Sequence, residues 1–233
     1  MKIRTILILV VLIAAVATAT WGWWRLHEPG TLPIKAVKVS GQYHFVTPDR
    51  LQKTVLPFVS NGFFNVDVTS AQSALLQLPG VANSSVRRVW PDVVLIKLTE
   101  LVAVAHWGKQ SLTTATGKIF TPQIERAEKV LPTLWGNKRD VKAMLKLASE
   151  LAPMLQKSGL SLAALKYDAL GDWQATTASG FVIDMGYKNM QKRLGLFLQA
   201  YPKLVQVVPK NKKLAYVNLQ YKHGFAVKYG NKR

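Results

Sequence analysis

Cysteine is absent from this 233-residue chain. That excludes a disulfide framework, thiolate metal sites and a cysteine nucleophile. Acid is scarce: 12 Asp and Glu stand against 31 Lys and Arg, a formal net charge of +19. Histidine is scarcer still, at positions 27, 44, 106 and 223 only. None of the four has a second ligand-type residue at helical or hairpin spacing, so no metal site is expected. The sequence has no Gly-x-Ser-x-Gly elbow, no phosphate-cradling glycine loop, no dinucleotide fingerprint and no internal repeat. Asp168, Asp172 and Asp184 are the only acids that cluster. They fall near predicted strand ends, where turn and surface roles outrank a glycosidase-type carboxylate pair, which needs about 5–10 Å between its groups. No catalytic residue, cofactor or small-molecule substrate is expected.

What is present is apolar and basic. Hydrophobic residues make up 49% of the chain, enough for one large core or two small ones and too much for a disordered protein. The charge points to nucleic acid, an anionic membrane surface or an acidic protein partner. The first 25 residues narrow that choice. After Lys2 and Arg4, residues 6–24 run without a charge, and Trp21, Trp23 and Trp24 stand at the far end. At 1.5 Å per residue this stretch spans roughly 28 Å, about one bilayer core, with an aromatic belt in place. Cations at the start favour an N-terminus on the cytoplasmic side, although Arg25 weakens the asymmetry. The small residues Ala15-Val16-Ala17 and Ala17-Thr18-Ala19 also fit a signal-peptidase site. Both readings put the body outside the inner membrane, which removes nucleic acid as a partner.

Residues 25–33, with two prolines and a glycine, read as a linker. The stretch 34–41, IKAVKVSG, alternates and closes at Gly41, a strand. Thr47-Pro48-Asp49 is a helix start, with Leu51, Val55 and Phe58 on one face. Asn61-Gly62 is a turn. Thr69 or Ser70 is expected to cap a second helix with Ala71, Leu75 and Leu78 on its apolar face. Two strands follow, joined at Pro91-Asp92, with Trp90 expected to pack at the mouth of the hairpin. Strand, helix, helix, strand, strand makes a small α+β unit. The opposite-face placement of Arg87 and Arg88 argues for scaffold rather than an anion clamp. In the second strand Val94, Ile96 and Leu98 share a face, yet Glu100 falls on it too. That break in alternation sets a domain boundary there.

Beyond it, VAVAHWG and KIFTP read as a hairpin around Gly117. Asp140 is expected to cap a helix with Val141, Leu145, Ala148 and Leu151 on one face, ended or kinked by Pro153. Strands are expected at 162–170, around Trp173 and at 181–186. Met190, Leu194, Phe197, Leu198 and Tyr201 form a helical stripe expected to stop at Pro202. One or two terminal strands close the chain. From Tyr201 to Arg233 there are eight Lys and Arg and no acid.

In order, IKAVKVSG, the Leu-Pro-Gly-Val at 78–81, Val-Arg-Arg-x-Trp-Pro-Asp at 86–92, the Ala-x-Trp at 105–107, GKIFTP, LPTLWG (131–136), RLGLFLQAYPKL (193–204) and YVNLQYKHGFAVKYG (216–230) resemble the FtsQ/DivIB family of bacterial cell-division proteins. The resemblance implies an α+β protein with a cytoplasmic tail (1–5), a transmembrane helix (6–24), a linker (25–33), a POTRA domain (34–100), a C-terminal mixed β domain with helices (101–230) and a short tail (231–233). It implies a non-catalytic divisome scaffold of the inner membrane, N-terminus cytoplasmic and body periplasmic, enriched at the septum. Its partners would be FtsB and FtsL, and its role the control of septal peptidoglycan synthesis. FtsB would add a strand to the last strand of the β domain. Carried onto this chain, backbone pairing falls on Gly224, Phe225, Ala226 and Val227, with Tyr221 and Tyr229 as aromatic anchors; Lys222 and Lys228 would attract an acidic segment. Two alternatives remain at this stage: another POTRA-bearing envelope interaction protein, or a secreted basic binding protein released by signal-peptide cleavage.

Overall fold

The computed structural model describes residues 2–26, 32–41, 44–60, 62–122, 131–222 and 224–231. The first element, α1 (Lys2–Leu26), is one continuous helix. Within it Ile6–Arg25 is long and apolar enough to cross a membrane. The hydroxyls of Thr18 and Thr20 donate back to the carbonyls of Ala14 and Val16, each at 2.9 Å. Both side chains thereby satisfy their donors inside the helix, as an apolar medium requires.

The rest divides into two compact units, the first running to Leu101 and the second beginning at Val102. In the first unit β1 (Ala36–Ser40) is followed by α2 (Pro48–Val59), α3 (Val68–Leu76), β2 (Val81–Val89) and β3 (Val93–Glu100). The sheet order is β1-β3-β2, with β1 parallel to β3 and β2 antiparallel to it. Thr47 caps α2 through the Arg50 amide, with Pro48 in the first turn. The cap of α3 is Asp67, whose carboxylate accepts from the Ser70 amide at 3.0 Å, and not Thr69 or Ser70 as the sequence suggested. Those amide bonds hold the Asp67 carboxyl below its ordinary pKa. Leu51, Val55, Ala71 and Leu75 from the helices close over Val94, Ile96 and Leu98 of β3 in one buried cluster. Phe58 packs at its margin. Asn61 lies outside the described residues. Trp90 does not pack at the hairpin mouth: it is 75% exposed. Arg87 is exposed, while Arg88 donates to the Phe64 carbonyl at 2.9 Å, a scaffold contact.

Glu100 corrects the reading of the phase slip. β3 keeps its alternation to the end, and Glu100 does point into the buried face, its side chain 5% exposed. The carboxylate accepts the backbone amides of His44, Phe45 and Val46, the last two at 2.8 and 3.0 Å. An acid at an apolar position is here the acceptor for a loop that otherwise has no strand or helix to satisfy its amides. Gly41, at φ +132, is required beside it, because a Cβ would stand 2.3 Å from the Leu98 carbonyl oxygen.

The second unit contains β4 (Ala103–Trp107), β5 (Ser111–Thr114), β6 (Ile119–Phe120), β7 (Thr133–Trp135), α4 (Val141–Gln156), β8 (Leu162–Tyr167), β9 (Trp173–Thr177), β10 (Val182–Gly186), α5 (Met190–Val207), β11 (Lys212–Asn218) and β12 (Ala226–Asn231). They form one nine-stranded sheet in the order β12-β11-β10-β9-β8-β7-β4-β5-β6. Two parallel neighbours, β7–β8 and β10–β11, are connected through α4 and α5, as parallel pairs need a crossover. Met144, Leu151 and Leu155 of α4 and Leu194 and Phe197 of α5 are buried in the same cluster as Leu165, Ala175 and Ile183 of the sheet. Three local expectations change. Asp140 makes no capping bond. Pro153 and Pro202 sit inside α4 and α5, which continue to Gln156 and Val207. Both prolines are on exposed faces, so each ring meets solvent rather than the core, and neither ends its helix.

Candidate functional site

The last strand closes one side of the nine-stranded sheet. β12 pairs antiparallel with β11 through Lys212↔Asn231, Lys213↔Gly230, Leu214↔Tyr229, Tyr216↔Lys228, Val217↔Val227 and Asn218↔Ala226. Among the described residues no strand lies along its other edge. An edge of this kind presents backbone N–H and C=O groups to any extended chain that lies alongside.

The six residues singled out from sequence divide into three situations. Ala226, Val227 and Tyr229 are in β12. Ala226 and Lys228 are exposed, while Val227 is half-buried against the core of the unit, so successive side chains alternate between solvent and core. Phe225 precedes the strand and its ring packs edge-on against Phe197, centroids 5.3 Å apart. That side chain is therefore an internal anchor of the strand start. Tyr221 and Gly224 also precede the strand, Tyr221 at 57% exposure. A Cβ on Gly224 would meet nothing within 4 Å, so no close approach in the free protein demands glycine there. The strand is thus shorter at its start than the stretch 221–229 expected from sequence, because the chain first turns and ties itself to α5.

What positions that turn is Asp184, which sequence reasoning had set aside with Asp168 and Asp172. Asp184 is 7% exposed. Its carboxylate accepts the Tyr216 hydroxyl at 2.6 Å, the Gln220 side-chain amide at 2.9 Å and the Gly186 amide at 3.2 Å. Its own carbonyl receives the Leu219 amide at 2.8 Å. One buried acid thus joins the end of β10 to the segment that leads into β12. Gly186 is fixed by the same arrangement: it has φ +63, and a Cβ would stand 2.9 Å from Gln220. Asp168 is used differently, accepting the amides of Leu170 and Asp172 in a tight turn. The three acids each have a backbone or side-chain role. A buried acid inside an apolar strand (FVIDMG) was the signal that could have separated Asp184 from the other two.

Burial, followed by the bond and the charge of Asp184, pushes the Tyr216 hydroxyl from 10.0 up to about 12. A pKa raised on folding adds stability below the unfolded value and loses it as pH climbs through the folded one. Thermal stability is therefore expected to fall between pH 10 and about 12. Tyr216→Phe should flatten that fall; an unchanged slope in the variant would show that Tyr216 does not carry it.

Among the described residues no group of three or more His, Asp or Glu side chains could hold a metal. His106 lies in β4, and His44 faces Glu100 at 3.7 Å. His27 and His223 lie outside the described residues.

Comparison with known proteins bears on both units. Residues 32–100 match the family model described as POTRA domain, FtsQ-type, and residues 105–220 match that described as Cell division protein FtsQ/DivIB, C-terminal. The second match ends just before Tyr221, so β12 lies beyond it. A protein of Neisseria meningitidis named Cell division protein FtsQ is 30% identical over 229 residues, 98% of this chain and 94% of that one. One of the same name in Escherichia coli is 31% identical over 233 aligned residues, 97% of this chain and 84% of that one.

Proposed function

The chain belongs to the FtsQ/DivIB family of cell-division proteins, and from that premise we propose that it is a non-catalytic scaffold of the divisome that captures an FtsB strand along the open edge of β12. In this reading α1 crosses the inner membrane with the N-terminus in the cytoplasm. The POTRA domain (34–100) and the β domain (101–230) then stand in the periplasm, at the septum. FtsB and FtsL are its partners there, and the assembly helps control septal peptidoglycan synthesis. In the POTRA unit β1, around Val37 and Val39, also lies at a sheet edge and is available to a separate partner.

The observation that carries the proposal is the strand edge itself: β12 terminates the sheet, and its exposed Lys228 alternates with half-buried Val227 and Tyr229. Backbone pairing supplies affinity on such an edge, and alternate side chains supply selectivity. The lysines favour an acidic partner segment and repel a second copy of β12.

The test is a titration of the full chain in detergent with the periplasmic segments of FtsB and FtsL from the same organism. Saturable binding of the FtsB segment is expected. Asp184→Ala should weaken it by an order of magnitude or more, since the segment at Tyr216 and Gln220 that leads into β12 loses its side-chain tie to β10 and must be ordered at the moment of binding. Absence of binding by the folded wild-type chain would count against the scaffold reading.

A further inference from the structure

We propose that the surface at the C-terminal end of α5 docks onto an anionic phospholipid surface. It is formed by the stretch KLVQVVPKNKK, residues 203–213. Lys203, Lys210, Lys212 and Lys213 are all exposed. Between them Val205 is 50% and Val207 70% exposed. Beside these valines opens a cleft of about 240 Å³ with Phe181, Tyr201, Val205 and Leu214 in its walls, and Lys212 and Lys213 also line it. Phe181 and Tyr201 stack there with ring centroids 6.0 Å apart.

Among the described residues nothing acidic in the surrounding elements offsets these lysines. The sequence contains no Asp or Glu after Asp184. Asp184 itself is buried in the middle of β10 with its carboxylate bonded by Tyr216, Gln220 and Gly186, and Glu150 is bonded to Gln191 at the opposite end of α5. The patch therefore combines uncompensated ammonium groups, exposed aliphatic side chains and an adjoining aromatic-walled cleft. Lysine stems lie along apolar surface while their heads reach phosphate, and valines enter the headgroup boundary. The cleft admits a short length of acyl chain. An acidic protein segment meets the lysines less well here. A segment paired to the open edge of β12 would lie one strand away from Lys212 and Lys213, because Gly230 and Asn231 stand between, and it would leave the valines uncovered. A bilayer also has a standing advantage: with α1 inserted, the same polypeptide holds the patch at high effective concentration near lipid.

The inference is independent of strand pairing at β12 and rests on α1 being in a bilayer. Because the chain lacks cysteine, Val207→Cys accepts a single polarity-sensitive fluorophore. The labelled full chain is reconstituted into vesicles of phosphatidylcholine alone or with roughly 30% phosphatidylglycerol. A blue shift is expected only with phosphatidylglycerol. It should be reversed by raising salt to about 0.5 M, where screening is short-ranged, and lost when Lys203, Lys210, Lys212 and Lys213 are all changed to Gln. A second label at Leu170→Cys, in the turn between β8 and β9 at the other end of the sheet, should not shift. Equal emission in both vesicle types, or a shift of both labels alike, would overturn the proposal. So would a shift that a soluble glutamate-rich peptide produces in neutral vesicles and phosphatidylglycerol does not. Failure of the chain to co-float with vesicles would strike the anchor reading and this inference together, whereas insertion without a shift strikes this inference alone.

Discussion

Proline placed within β12 is expected to reduce FtsB binding about a hundredfold without unfolding the protein, provided it replaces a residue whose N–H faces away from β11. Successive N–H groups of a strand point to opposite edges, so Val227→Pro and Lys228→Pro form a matched pair. One removes a donor to β11 and should lower the melting temperature. The other removes only a donor to the incoming strand and adds a ring on the docking edge. A hundredfold loss corresponds to roughly 2.8 kcal/mol, within what a lost backbone bond and a steric block together supply. Gly224→Pro, ahead of the strand, should be milder, because Gly224 contributes no bond to the β12 ladder. If both in-strand variants keep their fold and bind as the wild type does, strand addition at β12 is wrong.

The second large effect concerns Glu100. Glu100→Ala should destabilise the POTRA unit by about 3–5 kcal/mol, the range for removing one side of a buried charge-assisted contact. Three amides, those of His44, Phe45 and Val46, lose their acceptor at once, beside Val46 and Phe45, which are themselves 1% and 5% exposed. A domain of about 70 residues has only a few kcal/mol to spare, so the unit should melt well below the wild type. Glu100→Gln should lie between the two, because its amide oxygen still accepts while its NH₂ faces donors. Hydrogen exchange at residues 44–46 reads the same contact locally. Full amide protection and an unchanged melting temperature in Glu100→Ala would show that the loop has other support. The β domain should keep its own transition in either variant, since its core is built from different residues.

Much of the fold was legible because its signals are local. An uncharged run at 6–24 ending in three tryptophans states by composition alone a helix long and apolar enough to cross a membrane. Thr47-Pro48 sets a helix start with its own hydroxyl and ring. The spacing of Leu194, Phe197 and Leu198 declares the buried face of α5, and all three are buried. Three misread details share one cause, the side of an element that faces solvent. Pro153 looks like a stop or a kink and Pro202 like a stop in sequence, yet both stand on exposed faces of helices that continue past them. Trp90 looks like core and stays in solvent at the hairpin tip.

The tertiary structure alone decided the rest. That β12 ends the sheet depends on β11 pairing with β10 on its other side, between residues too distant in the chain for a local window to contain. Glu100 and Asp184 read as a phase slip and a stray carboxylate until the fold brings amides 55 and hydroxyls 32 residues away to their oxygens. Local periodicity and capping determine which elements form. Which edges remain open, and which buried acids find donors, depends on long-range packing, because a hydrogen bond across the fold is specified by both of its ends.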